Sequence, residues 1–105
     1  MNIDDKRTRY PKSVEEAVDL LIENLSIREK YKIAKMSQND LPGLHFSLGL
    51  GIRNEFGLWA GNKDLLESCT SLVGQEIIHP DDASALIIKE LWKKLRETYT
   101  LRVVK

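Results

Sequence analysis

The sequence predicts a mainly α fold, a compact bundle of about four to five helices around a central glycine-containing helix. Three observations lead there. Ser13 with Glu16, and Ser26 with Glu29, each stand before a run of helical character, the spacing of a capping box in which hydroxyl and carboxylate satisfy orphan backbone N–H groups. Apolar residues then recur at steps of three and four. Finally, "HPDD" opens the longest amphipathic stretch in the chain, with proline and acidic residues where the positive end of a helix dipole favours them.

Residues 1–12 are polar, are broken by Pro11, and read as a flexible N-terminal arm with Ile3 or Tyr10 as packing points. The single helical domain is expected over 13–96, and 97–105 form a C-terminal tail. In "SVEEAVDLLIENL", Val14, Ala17, Val18, Leu21 and Leu25 line one face, with Glu15, Glu16, Asp19 and Glu23 outside. "IREKYKIAKM" starts a second helix with Ile27, Tyr31 and Ala34 on one side, and the break in apolar phase predicts a corner at Ser26.

The stretch "LHFSLGLGI" fits two periods. Leu44, Phe46, Leu48, Leu50 and Ile52 alternate as in a strand, whereas Leu41, Leu44, His45, Leu48, Ile52 and Phe56 fit a helix. A strand would need "EIIH" (76–79) or the tail "YTLRVV" (99–104) as its partner, so a short β pairing of the tail stays open. Helix is preferred, with Asp40 as cap, Pro42 in the first turn and Gly57 as the stop. Gly49 and Gly51 would then let a neighbouring helix approach. Asn62 caps a short helix, "KDLLESC", and "HPDDASALIIKELWKKLRE" forms the last one, with Ser84, Ile87, Ile88, Leu91 and Leu95 as its core stripe.

Sixteen basic and sixteen acidic side chains cancel, so no net field steers the chain toward nucleic acid or an anionic membrane. No apolar run approaches bilayer length, and the first ten residues lack the apolar centre of a signal peptide. The one cysteine, Cys69, makes neither an internal disulfide nor a zinc cluster. These totals predict a cytoplasmic protein with no cofactor and no metal.

"IRNEFGLWAGN" (52–62) followed by "HPDDAS" and "LWKKL" resembles a family of small bacterial domains of unknown function. The likeness spans about residues 11–96 and includes "PKSVEEAVDLLIENLS" and "MSQNDL". It implies a helical bacterial domain and carries no established activity, substrate or catalytic residue.

Two constellations are candidates for binding. Arg53, Asn54, Trp59 and Asn62 could form a recognition patch of guanidinium fork, amide and indole wall; the structural alternative has them turning, capping and locking the chain. His79, Asp81 and Asp82 could join such a pocket or contribute to a metal site with His45, or else cap the last helix, with one aspartate pinning Arg53. Glu55 falls on the side of Leu44 and Leu48, so it is either a buried carboxylate or sits on a frayed end in water. No catalytic residue is assigned. The leading expectation is a non-enzymatic accessory or protein-interaction domain, with a homodimer allowed. The alternative is a small-molecule or anion-binding domain, conceivably catalytic, with its pocket at the 52–62 corner and the start of the 79–82 helix.

Overall fold

Side-chain caps set most of the helix starts, as the spacing of serines, asparagine and glutamates anticipates. In the computed structural model, which describes residues 10–104, five α-helices and one 3-10 helix follow one another: α1 (Val14–Asn24), α2 (Ile27–Ala34), the 3-10 helix (Gln38–Leu44), α3 (Leu48–Glu55), α4 (Lys63–Val73) and α5 (Pro80–Val104). Residues 1–9 of the expected arm, Ile3 among them, lie outside the described residues.

Ser13 Oγ accepts the Glu16 N–H at 3.1 Å, while the Glu16 carboxylate reaches one residue further back, to the Lys12 N–H. The second box is reciprocal, since Ser26 N–H donates to Glu29 and Glu29 N–H to Ser26 Oγ, each at 3.1 Å. The corner at Ser26 is therefore capped from both sides. Asp40 does not start a helix of its own. Its carboxylate instead accepts from the N–H and hydroxyl of Ser37, at the head of the 3-10 helix.

The core is organised around α5, which packs against every other element. Its buried stripe is Ala83, Ser84, Ile87, Ile88, Leu91 and Leu95, and Trp92 reaches across to donate its indole N–H to the Met36 carbonyl at 2.8 Å. Against the stripe lie Val14, Ala17, Val18 and Leu21 of α1, Ile33 and Ala34 of α2, Ile52 of α3, and Leu65 and Cys69 of α4. A fully buried aliphatic side chain contributes about 1.5–3 kcal/mol, so this shared interface supplies most of the driving force for folding.

Two expectations are corrected here. The 44–52 stretch is helical, but it is not one long central helix. The chain breaks at 45–47 between the 3-10 helix and the eight-residue α3, and α3 lies on α5 with Leu50 left half exposed. Pro42 and Gly43 weaken helix propagation just before that break. Of the two glycines in α3, only Gly49 faces a neighbour: a Cβ there would lie 3.0 Å from the Arg53 guanidinium and 3.6 Å from Ile88, whereas one at Gly51 would meet open space.

The short β pairing of the tail is likewise not found, and the described residues contain no strand. No proline or glycine follows Pro80, so α5 runs on to Val104. Extending a formed helix adds one hydrogen bond per residue fixed, whereas the strand at 44–52 that the tail would have paired with is itself helical, and a two-stranded ribbon is marginal in any case. Tyr99 on the extended part meets the Tyr31 ring edge-on at 5.9 Å, tying the extension to α2.

These glycine environments give opposite expectations for one substitution. Gly57 has φ +71° and its Cβ position is filled by the Tyr10 ring, so Gly57→Ala lowers stability by more than about 1 kcal/mol. Gly51→Ala, inside α3 with open space, raises it by about 0.4–1 kcal/mol. Urea denaturation of the two variants beside the wild-type chain checks both signs.

Candidate functional site

Gly57 and Gly61, with φ of +71° and +81°, let the chain reverse between α3 and α4. Within that reversal Leu58 is buried and Trp59 is turned outward, 56% exposed. Asn62 is the knot that holds it. Its Oδ1 accepts the Leu65 N–H to cap α4, and its Nδ2 donates to the Phe56 carbonyl at 2.8 Å and to the Pro11 carbonyl at 2.9 Å. One amide thus satisfies three backbone groups from three parts of the chain, and α4 returns the contact when Ser68 Oγ accepts the Val14 N–H at the start of α1.

Arg53 lies on the buried face of α3, and its side chain is 5% exposed. Its Nη1 donates to Ser84 Oγ at 2.9 Å and lies 3.4 Å from His45 Nδ1, while Nη2 donates to the His45 carbonyl at 3.2 Å. Nε sits 3.4 Å from Asp81 Oδ1, close enough for an ion pair but not aligned for a hydrogen bond, so it is buried without a hydrogen-bond acceptor. Ser84 passes the contact on by donating to the Asp81 carbonyl at 2.9 Å. The guanidinium thereby joins the break at 45–47, α3 and the first turn of α5. Because the Asp81 side chain is 45% exposed, water screens much of that charge pair, and the neutral hydrogen bonds carry the attachment.

His79 starts α5. Its carbonyl accepts the Ala83 N–H and its ring Nδ1 accepts the Asp81 N–H at 3.0 Å, the position of an N-cap acceptor. The ring also packs edge-on against the Trp59 indole, with centroids 5.7 Å apart. Asp81 lies between the two groups, with Oδ2 at 3.8 Å from His79 and Oδ1 toward Arg53.

The candidate residues therefore fall into two clusters that share Asp81. Arg53, with His45 and Ser84, faces inward; Trp59 and His79 face outward. Asn62 is occupied with backbone groups, and Asn54 and Asp82 are exposed on α3 and α5. Glu55 is exposed as well. Ser84 is the residue that sequence reasoning placed in the core stripe without a role. A lone hydroxyl within an apolar stripe, together with an arginine in an apolar helix, is the pattern that pairs them. Nothing in the sequence points to Ser68 or to the Trp92–Met36 bond.

Cys69 is fully buried on α4, and burial pushes its thiol from the usual 9.0 to about 11. That is the reverse of the shift that activates a nucleophile. Among the described residues no three His, Cys, Asp or Glu side chains come together as a metal-holding group, and no helix is long and apolar enough to cross a membrane.

The fold and this corner define a small helical domain locked by an arginine and an asparagine. The chain belongs to the family described as Domain of unknown function (DUF6794), whose model matches residues 10–95. Neither a curated protein nor a solved structure matches it.

The raised thiol sets a pH dependence. Below 9.0 folded and unfolded chains both keep the Cys69 proton; between 9.0 and about 11 the unfolded chain loses a proton that the folded chain retains. Stability therefore falls as pH rises through that window, and Cys69→Ala flattens the fall. A thiol reagent at pH 8 labels Cys69 only when denaturant is added; labelling of the native chain at the free-thiol rate would contradict this burial.

Proposed function

We propose that this is a non-enzymatic protein-interaction domain, acting in the bacterial cytoplasm through the outward side of the 52–62 corner, with Trp59 on His79 as the contact. The observation that carries the reading is the division of the corner itself. Arg53 and Asn62, the side chains best suited to grip a polar ligand, are engaged with internal partners, whereas the large apolar Trp59 stands 56% exposed. An indole supplies much contact area at little cost in side-chain freedom, and tryptophan is enriched among residues that dominate interface energetics. The edge-on His79 ring fixes its orientation, and His79 is itself held by capping α5. The contact group is thus preorganised, which lowers the entropy lost on binding.

The rival, a ligand pocket shared by Arg53, Asn54, His79 and an aspartate, draws less support. Its central cation already has Ser84 and His45 as acceptors, and drawing it outward would leave both without their donor.

A photo-crosslinking amino acid placed at position 59, and separately at the exposed Glu23 on α1, tests the reading in the cells that make the protein. The expected result is a discrete protein adduct from position 59 that position 23 does not give. No adduct at 59, or the same adducts from both, overturns the proposal. A polar metabolite that raises the melting temperature of the wild-type chain but not of Arg53→Lys would favour the rival.

A further inference from the structure

We propose that the outer face of α5 centred on Ala85, together with Phe46, takes a second copy of this chain in an antiparallel, two-fold arrangement. The inference goes beyond the reading of the Trp59 corner and stands without it.

Asp82, Ala85 and Lys89 follow one another at steps of three and four, so they share one face of α5, and all three are exposed. Next to that face lies a cavity of about 490 Å³, with Leu41, Pro42 and Ile88 on its apolar side. Phe46 forms part of its wall and is 84% exposed, the most exposed of the large apolar residues described. A phenyl ring left almost wholly in water beside a half-open cavity of mixed apolar and polar lining is a knob next to a hole.

The charges say what the partner is. Like several other surface charges, Asp82 and Lys89 have no oppositely charged partner among the described residues, so each is free to pair across an interface. They stand seven residues apart, about 10 Å along the helix, with the small Ala85 between them. A face with an acid at one end, a base at the other and a small residue midway is complementary to itself turned through 180°. A two-fold axis near Ala85 sets Asp82 against Lys89 of the partner subunit and repeats the pair on the other side, as an isologous interface requires. Ala85 at the crossing lets the axes come within the about 8–10 Å of packed helices. Each Phe46 then has the partner's cavity to enter, which covers the ring and fills the hole in one step. A partner of unrelated sequence would need none of this symmetry.

Sedimentation velocity on the full chain at low salt, from about 5 to about 500 µM, reads the dimer directly. The wild-type chain is expected to dimerise reversibly. Asp82→Lys or Lys89→Asp alone puts like charges together at both symmetric positions and weakens the dimer about tenfold or more. The double reversal, Asp82→Lys with Lys89→Asp, exchanges the partners and restores the dissociation constant to within about threefold. Phe46→Ser also weakens association about tenfold, while Glu23→Lys, an equal charge change on α1, leaves it unchanged. All the substituted residues are exposed, and circular dichroism verifies that each variant is folded. A chain that stays monomeric throughout the range overturns the proposal. So does a double reversal no better than either single one.

Discussion

The fold turns on one side chain that crosses from the shortest α-helices to the longest. α3 has only eight residues; it leaves Leu50 half exposed but buries Ile52 in the core shared with α5. Arg53 adds directed bonds: a hydroxyl on α5, a backbone carbonyl at the 45–47 break, and the charge of Asp81. The same bonds fix where the 3-10 helix ends. Gly49 leaves the room that the guanidinium occupies, since a Cβ there would come within 3.0 Å of it. Removing the arginine would leave buried Ser84 and the His45 carbonyl without their donor, a penalty usually larger than the bonds' own net gain.

Asn62 is the second fastening and works on the other end of the corner. By joining the carbonyls of Pro11 and Phe56 to the start of α4, it holds the entry of the chain against the reversal at Gly57, where the Tyr10 ring fills the space a side chain would take. Trp59 lies between the two fastenings, and its ring meets that of His79 at the head of α5, both of them exposed. Exposure of the pair, set beside the internal engagement of Arg53 and Asn62, is what connects the local chemistry of the corner to the function proposed for it.

Much of the helical architecture was legible because it depends on local rules. The caps at Ser13, Ser26 and Asn62, the corner at Ser26 and the stripe on α5 each need only neighbours within four residues. The errors arose where distant partners decide. An alternating apolar pattern with two glycines left strand and helix open over 44–52, and only the contact with α5 and the Arg53 bonds settle it as two short helices. The tail enters as a strand only as a partner for 44–52; with 44–52 helical that partner is gone, and the absence of any stop after Pro80 carries α5 through to Val104. At the site, Arg53 and the aspartates could be recognised as a potential pin, but Ser84 and the His45 carbonyl could not be chosen among many acceptors without the fold. The capping role of the His79 ring was hidden by the two aspartates beside it, which look like better caps in sequence.

The account stands on the coupling between Arg53 and Ser84, and a double-mutant cycle measures it. Chemical denaturation of Arg53→Met, Ser84→Ala and the double variant gives the three free-energy differences needed. Because each single change leaves a buried polar group without its partner, whereas the double change removes both, the loss for the pair should fall short of the sum of the single losses by about 1–2 kcal/mol. Losses that add to within about 0.3–0.5 kcal/mol would show that the arginine and the serine act independently, and α3 would then have to be held to α5 by packing alone.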